Sequence, residues 1–308
     1  MASFKSKVFN FMMRNRHLMM GKLRKEVFDD NTSIEAFRET CEAGANRYAK
    51  IPEGIEVKPQ VVNGVNSEWL IPQGSNPEKV IMYVHGGGYV SGSCNDHRGF
   101  VSKFAKNTGV KNLVYEYGLA PEKPFPAAVN DSLLVYRWIL ENGFKPENIL
   151  LAGESAGGGL ALAILLALKE QKIPFPCGAV AISPWTDLTC SSDSYKTKNK
   201  YSVAPLNSWY VFSKNYVGNS NPELPLISPL FGDLAGLPPI LINSGEDDEL
   251  YEDGEKFYIK AKQAGVDISF RKGEGMVHCY PLLSPMFPEA KEAMDEIVEF
   301  ARNRLKVD

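Results

Sequence analysis

Ser155 lies in the sequence GESAG at residues 153–157, between an apolar run at 149–152 and a run of small and apolar residues. In this setting the pattern G-x-S-x-G predicts a tight turn between a strand and a helix. Its glycines let the two elements pass in contact, and its strained backbone holds the serine hydroxyl clear of the sheet. We therefore predict that Ser155 is a nucleophile, although the bare pattern also occurs in ordinary turns.

A second glycine-rich turn, HGGG at residues 85–88, follows an apolar strand predicted at 79–85. Consecutive glycines allow backbone N–H groups to turn inward and stabilise the negative oxygen of a tetrahedral transition state. A phosphate-binding loop is disfavoured because the turn lacks a G-x-G-x-x-G pattern or a Walker lysine. We expect Gly87, Gly88 and Ala156 to form an oxyanion hole, and His85 to support the loop.

A serine nucleophile needs a base to take its proton, and a carboxylate to orient that base. The chain has four histidines, and only His278 lies in a loop after the last predicted strand, where it could reach the same sheet edge as Ser155. His278 is therefore the candidate base. For His17 and His97 the sequence favours a solvated surface position.

The orienting carboxylate is expected after the preceding predicted strand, at 239–244. Four acidic residues follow in a row at 246–249. Each of them could instead cap a helix or carry a solvated charge. From the residues alone we prefer Asp248 and keep Asp247 as its rival. The resulting order of serine, acid and histidine is typical of hydrolases with a G-x-S-x-G turn.

Short apolar strands alternate with helices over most of the chain, which predicts an α/β fold with a mostly parallel central sheet and helices on both faces. Two strands at 55–62 and 68–71 would form an antiparallel pair at one edge. Residues 187–225 contain no predicted strand and would form a cap insertion over the carboxyl ends of the sheet. We divide the chain into an N-terminal helical cap segment, 1–50, and a catalytic domain, 51–308.

The composition excludes several classes of protein. The net charge of −3 gives no reason to expect nucleic acid as a partner. Five cysteines without a C-x-x-C pair indicate reduced thiols and no metal site. The longest apolar run, 160–168, is too short to cross a bilayer. An apolar stretch at 9–13 is interrupted at once by arginines, so no signal peptide is expected and the protein is predicted to be cytoplasmic.

The motifs together resemble those of the hormone-sensitive lipase family of α/β-hydrolase esterases. The resemblance covers roughly residues 80–305 and rests on HGGG followed by Tyr89, YGLAPE at 117–122 with PFPAA at 124–128, GESAGG at 153–158 and SPWTDL at 183–188. It implies a serine carboxylesterase that acts on small, short-chain acyl esters without a metal or other cofactor. It also implies a helical cap built from the N-terminal and inserted segments.

The family's acidic motif, D-x-L-x-x-x-G, matches Asp248, Leu250 and Gly254, and the resemblance therefore favours Asp248 over Asp247. Three departures stand out. Gly118 replaces an arginine, Cys279 with Tyr280 stands where the family has x-Phe, and Glu154 replaces the more common aspartate. We interpret Glu154 as a residue that holds a loop.

Residues 1–25 carry seven basic side chains and no acidic one. An apolar side of this segment is predicted to cover the acyl pocket: Phe4, Val8, Phe11, Met12 and Met19. We prefer this interpretation to an amphipathic helix on a membrane surface or a mitochondrial-type presequence, because a basic face is also an ordinary solvated face.

The sequence leaves other functions open. The same nucleophile could cleave amides or remove acetyl groups. A non-catalytic ligand-binding protein is disfavoured because the plant gibberellin receptor, which resembles this family, lacks the histidine that His278 supplies here. These features are compatible with many natural esters and with a homodimer.

Overall fold

A computed structural model describes residues 2–19, 21–48 and 50–307 of the chain. Within these residues, eight strands form one sheet in the spatial order β1-β2-β4-β3-β5-β6-β7-β8. The strands are β1 (Ile55–Val62), β2 (Val65–Pro72), β3 (Val80–Val84), β4 (Lys111–Tyr115), β5 (Ile149–Glu154), β6 (Gly178–Ile182), β7 (Ile240–Gly245) and β8 (Ile268–Gly273).

The sheet is parallel except at one edge. β1 and β2 form an antiparallel hairpin around Asn63 and Gly64, whose φ angles are 48° and 90°. Asparagine followed by glycine suits such a turn because both positions need positive φ. β2 pairs antiparallel with β4, and the remaining pairs are parallel. The predicted edge hairpin is confirmed, with β2 longer than the expected 68–71.

Ten α-helices are present in the described part of the chain. They are α1 (Phe4–Arg14), α2 (Arg16–Met19), α3 (Ile34–Tyr48), α4 (Cys94–Thr108), α5 (Ala127–Glu141), α6 (Ala156–Glu170), α7 (Ser194–Thr197), α8 (Ser208–Val217), α9 (Tyr251–Gln263) and α10 (Pro288–Leu305). Among these described helices, none combines the length and the apolar character that a membrane crossing requires.

Strand β3 shows how the helices cover both faces of the sheet. Ile81 and Tyr83 belong to a core cluster that includes side chains of α4 and α10. Val80, Met82 and Val84 point to the other face and join side chains of α5, α6 and α9. All five are fully buried, as expected for a central parallel strand. The predicted α/β-hydrolase architecture is confirmed.

Residues 187–225 interrupt the alternation of strands and helices, as predicted. They contain α7 and α8 and no strand of the sheet. Leu206 forms a single bridge with Val27, and the ring of Phe212 packs edge-on against Phe28 at 5.7 Å. The inserted segment and the N-terminal segment therefore contact each other.

Helix α1 turns its apolar side to solvent, and the prediction that this side covers a pocket is wrong for the residues that can be checked. The exposed side chains are Phe4, Val8, Phe11 and Met12. The residues of α1 that are buried are polar, Ser6 and Asn10. The remaining member of the predicted set, Met19, has a side chain outside the described residues.

Candidate active site

Ser155 lies in a strained turn between β5 and α6. Its φ and ψ are 57° and −124°, a conformation that few non-glycine residues adopt. The turn is held by backbone hydrogen bonds from Ser155 N to Ile182 O (2.8 Å) and from Trp185 N to Ser155 O (3.0 Å). A Cβ on Gly157 would lie 2.2 Å from Val84 O, so only glycine allows this close passage of helix and strand.

His278, which is partly buried, and the buried Asp248 form a pair on the loops that follow β8 and β7. His278 Nδ1 lies 2.8 Å from Asp248 Oδ2, and the second oxygen of Asp248 accepts the Leu250 amide at 3.0 Å. Burial alone lowers the pKa of His278, but the Asp248 carboxylate, together with a smaller effect of Cys279, outweighs burial and raises the pKa above its ordinary value. The carboxylate thus fixes which ring nitrogen carries a proton and leaves Nε2 to face other groups.

The four adjacent carboxylates after β7 have separate partners. Glu246 pairs with Lys272 Nζ at 2.7 Å. Asp247 pairs with Arg14 Nη2 at 2.6 Å and lies 3.6 Å from Lys198 Nζ.

Glu249, the fourth carboxylate, is buried and accepts the indole N–H of Trp209 at 2.9 Å. Burial raises its pKa. Of the four carboxylates, Asp248 alone contacts the candidate base, so the geometry distinguishes it from Asp247.

The loop of His278 meets the turn of Ser155 through the end of β6. Cys279 N donates to Ser183 Oγ at 3.1 Å, and Ser183 directly follows Ile182, which accepts the Ser155 amide. His278 Nε2 lies 3.3 Å from Cys279 Sγ. In the described part of the chain, no hydrogen bond joins the Ser155 hydroxyl to His278. Such contacts are often loose without substrate and tighten when it binds.

Residues 86–88 form a turn in which one backbone amide has a hydrogen-bond acceptor in the described part of the protein and two do not. Gly86 N donates to Glu154 Oε1 at 2.6 Å, whereas the amides of Gly87 and Gly88 have no protein acceptor among the described residues. Gly87 and Gly88 have φ of 108° and 66°. A Cβ on Gly88 would lie 2.3 Å from the Phe212 ring, so α8 packs directly on this turn.

Ala156 is the first residue of α6. An N–H in the first turn of a helix has no acceptor inside that helix. Together with the two glycine amides, the Ala156 amide is therefore a donor available to a negatively charged oxygen beside Ser155.

His97 is not the solvated surface residue that the sequence predicted. Its side chain is 16% exposed and contacts Asp96 through Nδ1 and Glu154 Oε1 through Nε2, the latter at 2.9 Å. Burial lowers the pKa of His97, but the two carboxylates outweigh it and raise the pKa to about 10. The fold brings Glu154 into contact with His97, which lies 57 positions earlier in the chain. No local sequence motif predicts this contact. His17 is half-buried, which also differs from the prediction.

Glu154 joins the two turns of the site. Besides Gly86 N and His97, it accepts the hydroxyl of Tyr83. Because Glu154 immediately precedes Ser155, its side chain connects the turn of the nucleophile to the turn of the glycines. The contact agrees with our interpretation of Glu154 as a residue that holds a loop.

His85 is buried behind the glycine turn. Its Nδ1 lies 2.8 Å from Gly86 O, and its ring stacks on Tyr117 with centroids 4.1 Å apart. Burial lowers the pKa of His85 to about 4, so the ring is neutral near pH 7. A neutral, stacked imidazole suits support of the turn.

Side chains of the inserted segment form the wall beside His278. The Trp209 ring lies 5.3 Å from the imidazole, edge to face. Residues 201–204 and Trp209 line a small, tightly packed cleft, together with 247–249 and His278. Sequence reasoning did not single out Trp209; the aromatic content of the insertion was the available signal. Among the described residues, no group of His, Cys, Asp and Glu side chains could hold a metal ion.

Comparisons with known proteins agree with this geometry. Residues 81–282 match a family described as having the α/β-hydrolase fold. The chain belongs to the α/β-hydrolase family, in its hormone-sensitive lipase branch. Two related sequences are an esterase from Acinetobacter venetianus (36% identical; 80% of this chain and 82% of that protein) and an acetyl-hydrolase from Streptomyces hygroscopicus (37%; 82% and 83%).

Solved structures of this branch of α/β-hydrolases resemble the whole chain. An esterase from the bacterial hormone-sensitive lipase family is 34% identical, with 99% of each chain covered and a TM-score of 0.89. A hormone-sensitive lipase from a metagenome library is 31% identical, with 97% of this chain and 98% of that chain covered and a TM-score of 0.90.

Proposed function

We propose that this α/β-hydrolase is a carboxylesterase that cleaves short-chain acyl esters with Ser155, His278 and Asp248. The observation that carries the proposal is the 2.8 Å contact of His278 with Asp248, at the sheet edge where Ser155 occupies its strained turn. The names of the related proteins, esterase and acetyl-hydrolase, support an acyl ester as substrate.

The reaction proceeds in two halves. His278 Nε2 takes the proton of Ser155 Oγ while the oxygen attacks the ester carbonyl, and Asp248 stabilises the imidazolium that forms. His278 then passes this proton to the departing alcohol, which leaves an acyl group on Ser155. Water, activated by the same imidazole, releases the acid and restores the serine.

Backbone amides stabilise the charge that develops on the carbonyl oxygen. The N–H groups of Gly87, Gly88 and Ala156 donate to it, and no metal or cofactor takes part. Glu154 and His85 hold the glycine turn in place. Removing a single donor from such a hole lowers turnover by roughly 10²–10³-fold in comparable enzymes.

Before substrate binds, the Cys279 thiol contacts Nε2 of His278. A thiol is a weak hydrogen-bond donor, so the contact breaks readily when Ser155 Oγ approaches the ring. Because the base must be neutral and Asp248 raises the pKa of His278, the rate is expected to rise as the pH increases above the ordinary imidazole range near 6.5.

The cap that we propose consists of the inserted segment and the part of the N-terminal segment that contacts it. Trp209 and Phe212 of α8 lie against His278 and the glycine turn, and Phe28 packs on Phe212. These large side chains leave little room over the site, which favours short acyl groups.

A series of p-nitrophenyl esters of increasing chain length, measured beside matched anilides, tests the proposal. We expect the acetate and butyrate esters to be cleaved fastest and the anilides to be much slower. Anilides cleaved as fast as esters would instead identify an amidase. Ser155→Ala should lower ester turnover by about 10³-fold or more, and wild-type activity in that variant would disprove the assignment of the nucleophile.

A further inference from the structure

Helix α1 carries an apolar strip on the side that faces away from the protein. At 100° per residue, Phe11, Phe4, Val8 and Met12 are neighbours around the helix. The exposed fractions of Phe4 and Phe11 are 81% and 68%. Lys7 and Lys5 border the strip on its two sides, and both are exposed.

Polar contacts on the opposite side fix this orientation. Asn10 Nδ2 donates to Gly275 O at 2.9 Å, and Ser6 Oγ donates to Glu289 Oε1 at 3.2 Å. The Phe9 ring also packs against Phe287 with centroids 5.5 Å apart. Rotating the helix to bury the apolar strip would break these contacts, so the exposure of the strip is built into the fold.

Further exposed apolar residues follow α1 in the chain. Leu18 is 56% exposed and Leu23 is 92% exposed. Three further exposed cations lie near them, Arg16, Lys22 and Arg24. No acidic residue occurs in residues 1–25. We call these exposed side chains of residues 4–24 together the N-terminal face; its apolar members are Phe4, Val8, Phe11, Met12, Leu18 and Leu23, and its cations are Lys5, Lys7, Arg16, Lys22 and Arg24.

We propose that the N-terminal face docks onto an anionic lipid surface. An apolar strip bordered by lysines can enter the boundary between headgroups and acyl chains while the ammonium groups remain among the headgroups. Anionic headgroups also supply the negative charge that the face lacks. This inference reverses our preference for a pocket cover over a membrane-surface helix, and it does not depend on the proposed esterase activity.

The charge pattern argues against two other partners. A symmetric contact between two copies of the face would bring lysines and arginines together without an acidic partner, which costs free energy. A nucleic acid would use the cations but would leave the two exposed phenylalanines without an apolar environment. A lipid surface satisfies both the apolar strip and the cations.

The face is joined to the loops of the active site. Arg14 of α1 pairs with Asp247, the residue before Asp248, and Asn10 contacts Gly275 on the loop of His278. Docking through the N-terminal face therefore places these loops near the lipid surface, where apolar esters accumulate.

Flotation of the full-length protein with lipid vesicles tests the proposal. We expect binding to vesicles that contain phosphatidylglycerol and much weaker binding to pure phosphatidylcholine, with the difference reduced by added salt. Phe4→Ser with Phe11→Ser should lower partitioning by more than tenfold, because both side chains lose the apolar burial that the lipid would supply. Ile259→Ser, at an exposed apolar position of α9, is the matched control and should bind normally.

Charge reversal tests the second half of the proposal. Lys5→Glu with Lys7→Glu should lower partitioning into anionic vesicles by about thirtyfold or more. Lys103→Glu with Lys145→Glu makes the same change in charge at exposed positions elsewhere and should have a much smaller effect. All variants should hydrolyse a soluble ester at the wild-type rate, which shows that they are folded.

Three outcomes would overturn the proposal. The first is no binding to either vesicle, and the second is equal loss of binding in the control variants. The third is a concentration-dependent dimer in sedimentation that Phe4→Ser with Phe11→Ser abolishes while vesicle binding is absent; the face would then contact a second copy of the chain.

Discussion

Two partly buried histidines, His278 and His97, are each paired with a carboxylate in this protein, yet their surroundings suit them to different tasks. His278 Nδ1 lies 2.8 Å from Asp248, and His97 Nε2 lies 2.9 Å from Glu154. The two pairs flank the turn of Ser155, one on the loops after β7 and β8 and the other beneath the glycine turn. Carboxylate pairing alone therefore does not identify a base.

The second nitrogen of each ring makes the difference. His97 has a carboxylate at both nitrogens, with Asp96 at Nδ1, and its pKa rises to about 10. It remains an imidazolium near pH 7 and has no lone pair with which to accept a proton. His278 has a carboxylate at one nitrogen and, among the residues that the structure describes, only the Cys279 thiol at the other. One arrangement braces a loop, whereas the other can exchange a proton.

The largest expected effect is a difference in kcat between variants of the two histidines. We expect His278→Gln to lower kcat by about 10⁶-fold, as loss of a triad base does in a well-studied protease. His97→Gln should cost less than about 10²-fold, because it loosens the glycine turn without removing a reacting group. Steady-state kinetics on p-nitrophenyl butyrate would measure both. Similar losses in the two variants would remove the distinction.

The neighbouring carboxylates provide the next comparison. Asp248→Asn should lower kcat by about 10⁴-fold, because the amide no longer orients the imidazole in the required tautomer. Asp247→Asn removes only contacts with Arg14 and Lys198, and should change kcat by less than about tenfold. Equal or reversed effects would move the acid to Asp247.

The ion pairing of His97 should make the free energy of unfolding depend on pH in the alkaline range. Its pKa is about 10 in the folded protein and near 6.5 in the unfolded chain, so its contribution is complete below pH 6.5 and is lost as the pH rises through about 10. Urea unfolding should show this loss in the wild-type protein. His97→Gln should be less stable by about 3 kcal/mol at pH 6, and the gap should narrow towards pH 10. A gap that does not change with pH would contradict the ion pairing.

The smallest effect is expected at Cys279. Cys279→Ala removes the thiol from His278 Nε2, and a weak hydrogen bond is worth less than about 1 kcal/mol, so kcat should change by less than about fivefold. A loss of several hundredfold would mean that the thiol takes part in proton transfer. Cys279→Ser then serves as the matched control, because a hydroxyl retains a donor at the same place.

Local patterns were enough to predict much of the site. The turn at Ser155 and the glycines of 86–88 are defined by residues that follow one another in the chain, so their sequence carries the signal. The alternation of apolar strands and helices likewise predicted the parallel sheet and its edge hairpin. The position of His278 followed from this order, because the carboxyl ends of parallel strands share one edge.

Local sequence patterns did not predict which residue each charged side chain contacts. Glu246, Asp247, Asp248 and Glu249 are adjacent and chemically alike, and contacts with residues far along the chain separate them. His97 looked solvated because its partner Glu154 is distant in sequence. The family motif favoured Asp248, and the ion pair of Asp247 with Arg14 gives the physical reason for the difference.

The orientation of helix α1 is the clearest example of a feature that the sequence alone could not predict. Its amphipathic pattern was visible in the chain, and so was its positive charge. The sequence did not show which side of α1 faces the protein. An apolar side chain is buried only where the rest of the fold offers it an apolar partner. Here the partners are Glu289, a backbone carbonyl and the ring of Phe287, which together receive the side of α1 that carries Phe9. Phe4 and Phe11 are left exposed on the other side. The sequence by itself determined which side chains share a face, and only the tertiary structure decided where that face points.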